Sequence, residues 1–157
     1  MQIILNKMEL RLAKALAKAK MDQNQANGMI SSGPRSLEID LRGVSGELAV
    51  CKKYNTYPDM VIGPHYSGYD LIYNNLRVDV KTTKFTSGYL QAKLKKKHTD
   101  CDVFILVRDE SPTFVMEGWI PSIDFLTQDN IMDLGYGNKF TLQADQLRPM
   151  EQLDQHA

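Results

Sequence analysis

Between Tyr69 and Thr83 apolar and polar residues alternate on both sides of an asparagine pair, YDLIYNN followed by LRVDVKTT. A period of two is the pattern of a strand with one buried face. Asn74 and Asn75 tolerate left-handed backbone, so they suit a two-residue hairpin turn that sets Tyr73 against Leu76. Counting outward pairs Ile72 with Arg77, Leu71 with Val78, and Asp70 with Asp79. Tyr69, Leu71, Tyr73, Leu76, Val78 and Val80 then share the core face, while Asp70, Asp79 and Lys81 share the other.

Elsewhere the period changes. Leu5, Met8, Leu12, Ala15, Leu16 and Ala19 recur at helical spacing and predict an amphipathic helix over residues 3–20, with Lys7, Arg11, Lys14 and Lys18 along another face. The stretch from Asp22 to Ser36 carries Gly28, Gly33 and Pro34 and reads as a linker or loop. The compact core is expected from Leu37. In RGVSGELAVCKKYN, Ser45 is a candidate N-cap, and Val44, Leu48 and Cys51 share a face, so Glu47 falls in the first turn of a helix. Met60 to Ile62, hemmed by Pro58 and Gly63-Pro64, permits at most a short edge strand. Residues 84–100 fit neither period cleanly and stay open between strand and helix. DVFILV at 102–107 is a continuous apolar run that suits a strand buried on both faces, and TFVMEGWI at 113–120 predicts the next strand. Pro121 ends it, Ser122 opens a short helix, and a Gly-rich turn, a short strand and a final helical turn complete the chain. This divides the protein into a helix and linker at 1–36, a main domain at 37–150 and a tail at 151–157.

Composition narrows the chemistry. A chain of 157 residues can bury roughly two thirds of its unfolded surface in one domain. Lys and Arg number 19, as do Asp and Glu, so any contact with a polyanion must be local. Cys51 and Cys101 stand apart, as do His65, His98 and His156, which argues against structural zinc. No apolar run reaches the length of a membrane span, and the expectation is an intracellular, cytoplasmic protein with reduced thiols.

The hairpin's charges need a reason. Carboxylates directly opposed across two strands have Cβ atoms about 5 Å apart, and their repulsion is about 3 kcal/mol at an effective dielectric near 20. A hard cation such as Mg²⁺ between them would turn that repulsion to use. Lys81, one pleat along, offsets part of the charge and can stabilise a developing negative charge on a phosphate. Glu47 offers a third carboxylate if its helix packs beside the hairpin. The plain alternative is a solvent-facing Asp79 paired with Lys81 or Arg77.

Asp70, then Asp79-Val80-Lys81, with Glu47 in the preceding helix, resembles the restriction-endonuclease-like phosphodiesterase superfamily, whose signature is Pro-Asp followed by Asp/Glu-x-Lys. The likeness spans roughly residues 43–107, and GWI at 118–120 is similar to small phage-type members, which implies a phage-infected host cell as the setting. It implies an α/β (α+β) fold with a central mixed sheet of four to five strands flanked by helices. It also implies a Mg²⁺-dependent deoxyribonuclease, with Mn²⁺ able to substitute, in which Asp70, Asp79 and Glu47 bind metal and Lys81 acts with them in catalysis. A literal Pro-Asp occurs at Pro58-Asp59, but the hairpin count favours Asp70 as the first ligand and leaves Asp59 to turn chemistry.

The partner implied is DNA, with RNA as the other candidate. The run KLKKKH supplies Lys93, Lys95, Lys96 and Lys97 for sequence-blind grip on phosphates. Thr82, Thr83 and Lys84 follow the catalytic strand and could hydrogen-bond the cut strand, although Thr is an ordinary strand residue as well. The apolar stripe of the first helix could instead serve a homodimer. The rival function is a non-catalytic nucleic-acid-binding or assembly protein that retains the nuclease fold.

Overall fold

A computed structural model of the chain describes residues 1–28, 37–62 and 68–156. A short strand β1 (Gln2–Ile4) precedes helix α1 (Lys7–Ala26). The expected helix is therefore present, but it starts later and runs through part of the expected linker. Its start is fixed by Asn6, whose side chain accepts from the Met8 and Glu9 backbone N–H groups while Glu9 answers the Asn6 N–H. That reciprocal pair is a capping box. The rest of the expected linker, residues 29–36, lies outside the described residues.

Helix α2 (Leu37–Tyr54) begins well before Ser45, so Ser45 is no cap and Glu47 sits in the middle of the helix. The helix runs straight through Gly43 and Gly46. At Gly46 the reason is contact: a Cβ there would lie 2.0 Å from the Thr82 Oγ1, so glycine lets the helix lie directly on a strand. Residues 60–62 form no strand.

The hairpin has the anticipated register. Strands β2 (Leu71–Tyr73) and β3 (Leu76–Thr83) pair Leu71 with Val78, Ile72 with Arg77 and Tyr73 with Leu76. Asn74 and Asn75 have φ of 46° and 65°, as a type I′ turn requires. The undecided stretch resolves into β4 (Tyr89–Lys93), and the two long apolar runs become β5 (Val103–Glu110) and β6 (Thr113–Pro121). A short helix α3 (Ser122–Phe125), strands β7 (Ile131–Asp133) and β8 (Asn138–Gln143), and a last turn α4 (Leu153–His156) finish the fold.

The architecture is mixed α and β. A five-stranded sheet in the order β1-β6-β5-β3-β2 has β3 and β5 parallel and its other neighbours antiparallel; β4-β8-β7 form a second, antiparallel sheet. Side chains of β5 alternate between two cores, as expected for a strand buried on both faces. Val103, Ile105 and Val107 join Leu16 and Ala17 of α1, Leu48 and Val50 of α2, and Leu153 of α4. Phe104 and Leu106 join Leu90, Phe125, Phe140 and Leu142, between the two sheets. Both ends of the chain thus enter the first core, across the boundaries drawn at residues 36 and 151.

Candidate active site

The site forms where the hairpin ladder stops. The β2–β3 pairing ends at Leu71 and Val78, so among the described residues no strand covers the outer edge of β3 from Asp79 to Thr83. Gly68, at φ +83°, bends the chain away. Asp70 follows that bend: its backbone N–H bonds the Val78 carbonyl, and its carboxylate accepts the Val80 N–H at 2.7 Å. The expected direct opposition of Asp70 and Asp79 is replaced by a carboxylate that caps the open strand edge. The same bend carries Tyr69 to the second core instead of the hairpin's core face.

A cavity of about 500 Å³ lies against this edge, and Glu47, Asp70, Asp79 and Lys81 all line it. Three elements meet there. Glu47 comes from α2 on one face of the sheet, Asp70 from the bend, and Asp79 and Lys81 from β3 on the other face. Asp79 is buried at 4% exposure. Lys81 is ion-paired with its Oδ1, and Lys96 holds its Oδ2 at 2.6 Å.

The electrostatics follow from this crowding. Burial first, then the charges of Glu47 and Asp79, push the Asp70 carboxyl up to about 8. Burial opposes the charge on Lys81, but Asp79, Asp70 and Glu47 outweigh it and hold the ammonium above its ordinary value. Cys51, behind the site, has its thiol pushed up to about 12 by burial and then by Glu47 and Asp70, so it offers no thiolate.

Hard oxygen donors from three carboxylates on one cavity, one of them disfavoured as an anion first by burial and then by the other two, fit a divalent cation such as Mg²⁺. Among the described residues, however, no three Asp, Glu, His or Cys side chains converge as a ready-made metal cluster. Lysines occupy the position instead: Lys81 and Lys96 on Asp79, and Lys20 on Glu47 at 3.4 Å.

Other anticipated residues are more dispersed. Lys93, Lys95 and Lys97 are exposed, whereas Lys96 turns inward. Thr82 packs its hydroxyl against α2 at Gly46, on the wall of the cavity. Thr83 accepts the Phe85 N–H at 3.2 Å and shapes the turn after β3, and Lys84 is exposed with its ammonium 5.4 Å from the Phe85 ring centroid. Asp59 makes the expected turn bond, accepting the Val61 N–H at 2.9 Å, yet it lines the same cavity.

Lys20, Gln23, Asn24 and Asp40 also line the cavity, and sequence reasoning passed over them. Their signal was helical spacing: Lys20, Gln23 and Asn24 share one face of α1, and Asp40 lies two turns before Glu47 on α2. No family model, curated protein or solved structure matches the chain.

Proposed function

We propose that this chain is a metal-dependent nuclease that hydrolyses phosphodiester bonds in DNA, built on a restriction-endonuclease-like core. One observation carries the reading: Glu47, Asp70, Asp79 and Lys81, separate in sequence and drawn from three elements, line one cavity. A fold gains nothing from gathering three carboxylates on one cavity, Asp79 buried and Glu47 and Asp70 half-buried, unless cations or a substrate use them. The order helix, hairpin and parallel third strand, supplied by α2, β2-β3 and β5, supports the finer fold assignment.

In this reading Asp70, Asp79 and Glu47 hold Mg²⁺ or Mn²⁺. A bound ion would make a ligated water more acidic and offset phosphate charge. The chain's own groups do the rest. Asp70, fixed by the Val80 N–H, and Asp79, fixed between two lysines, present their oxygens at the strand edge without further ordering. The Lys81 ammonium supplies positive charge for the extra negative charge on the phosphorane-like transition state. Exposed Lys93, Lys95, Lys97 and Lys84 grip the flanking backbone, with the salt dependence such contacts bring.

The test is cleavage of DNA in Mg²⁺ or Mn²⁺, run on linear, circular, nicked, single-stranded and junction substrates, with RNA alongside. Lys81→Ala and Asp70→Asn are expected to abolish cutting while the fold persists. Cutting retained by both would reject the residue assignment.

One observation favours the rival reading. Asp79 already has a lysine on each oxygen, so its charge is balanced without metal. A non-catalytic nucleic-acid-binding protein predicts no cleavage in either metal, and DNA binding that Asp79→Ala leaves unimproved.

A further inference from the structure

Lys96 belongs to the densest basic run of the chain, yet it behaves unlike its neighbours. Lys93, Lys95 and Lys97 are exposed, while the Lys96 side chain is 7% exposed. An ammonium this deep needs strong partners. It donates to Asp79 Oδ2 at 2.6 Å and to the Gly68 carbonyl, and it lies 5.7 Å from the Phe104 ring centroid. The turn that aims it inward is closed by the Lys96 N–H on the Lys93 carbonyl at 2.9 Å.

These partners lie on two of the three pieces of chain that carry the acids, β3 and the bend before Asp70. Lys81 holds only Oδ1 of Asp79, and a carboxylate held by one oxygen keeps a broad torsion about its last bond. A second cation on Oδ2 removes that freedom. The Gly68 carbonyl, in turn, opens the bend that ends in Asp70. Gly68 also lies close against the following turn, which the Asp100 N–H closes on the Lys97 carbonyl, since a Cβ at residue 68 would lie 3.0 Å from the Asp100 Cβ. One ammonium therefore sets both the orientation of Asp79 and its distance from the segment bearing Asp70.

We propose that Lys96 is a positioning residue of the catalytic cluster, holding Asp79 in register with the Asp70 bend, and that only its exposed neighbours grip the nucleic-acid backbone. The proposal rests on the nuclease reading of the same cavity. It divides one basic run into two tasks with separate kinetic signatures.

The experiment compares the wild type with Lys96→Met and Lys95→Gln, measuring kcat, KM and the salt dependence of DNA binding, with circular dichroism to confirm folding. Lys96→Met is expected to lower kcat at saturating DNA by at least about tenfold, with KM and the salt slope unchanged. Lys95→Gln is expected to raise KM and reduce the slope by about one. Should Lys96→Met fail to fold, Lys96→Gln is measured in its place, with the same split expected. Wild-type kcat in the Lys96 variant, or a loss confined to KM with a shallower slope, overturns the proposal. A wild type that cuts nothing rejects the nuclease reading alone. Positioning is then read from crystal structures of the wild type and the Lys96 variant: the Asp79 carboxylate turns if the proposal holds and keeps its orientation if it does not.

Discussion

Asp70 is the residue on which the site turns, and its environment makes it measurable without any substrate. Its carboxyl is pushed up to about 8 by burial and by Glu47 and Asp79, against an unfolded value of about 4. Between those values the folded protein holds a proton that the unfolded chain has shed. Stability therefore falls as pH rises from about 4 to about 8 and levels off above. Urea unfolding of metal-free protein across this window should show that decline, and Asp70→Asn should flatten it. An equal decline in the variant would place its source in another group. The alternation around Asn74-Asn75 made the presence of Asp70 beside Asp79 readable from sequence. Its departure from the ladder was not, because Gly68 takes its positive φ close beside Asp100, a neighbour distant in sequence that no local pattern announces.

At the scale of elements, α2 shows where local rules lose to tertiary contact. Capping logic started the helix at Ser45, since two glycines interrupt the pattern before Leu48. The helix instead runs through both, and the close approach at Gly46 is what seats Glu47 over the edge of β3. Gly46→Ala adds helix propensity of about 1 kcal/mol but forces a methyl into the Thr82 hydroxyl, an overpacking cost of about 1–3 kcal/mol. The single variant is expected to be destabilised. In a Thr82→Ala background the contact with the hydroxyl is gone and only the Cβ of residue 82, 3.1 Å away, has to give, so the same change should cost clearly less. Chemical denaturation of the four proteins gives the coupling; strictly additive effects would contradict this packing account. The hairpin and β5 were readable because their signals are local: a turn pair that fixes register, and an unbroken apolar run. Strands β1 and β7 were missed, since three residues at a sheet edge carry too little pattern, while the six-residue β8 was sketched only as a short strand.

For the whole molecule, periodicity found the helices and strands but could not show which of them share a core. The first helix read as a separable segment because glycines and prolines follow it. Yet Leu5, Ala13, Leu16 and Ala17 are buried with β5 and α2, and Leu153 closes the same core from the other end. Removing residues 1–36 should therefore abolish cooperative thermal unfolding. A truncated chain that still melts in one sharp transition would restore the boundary at 36. The same assembly brings Lys20 of α1 to Glu47, so the site depends on a helix outside the stretch that carried the family resemblance. Among the described residues no helix is long and apolar enough to cross a membrane.

The central claim is that Glu47, Asp70, Asp79 and Lys81 act as one metal-dependent unit, and groups that act as a unit are not additive when removed. Single-turnover DNA cleavage in saturating Mn²⁺ tests it most directly, comparing wild type, Glu47→Gln, Lys81→Met and the double variant, each verified as folded. The expected result is cleavage by the wild type, a loss of about 100-fold or more in each single variant, and little further loss in the double. A wild type that cuts no nucleic acid, or single variants that cut at the wild-type rate, would contradict it.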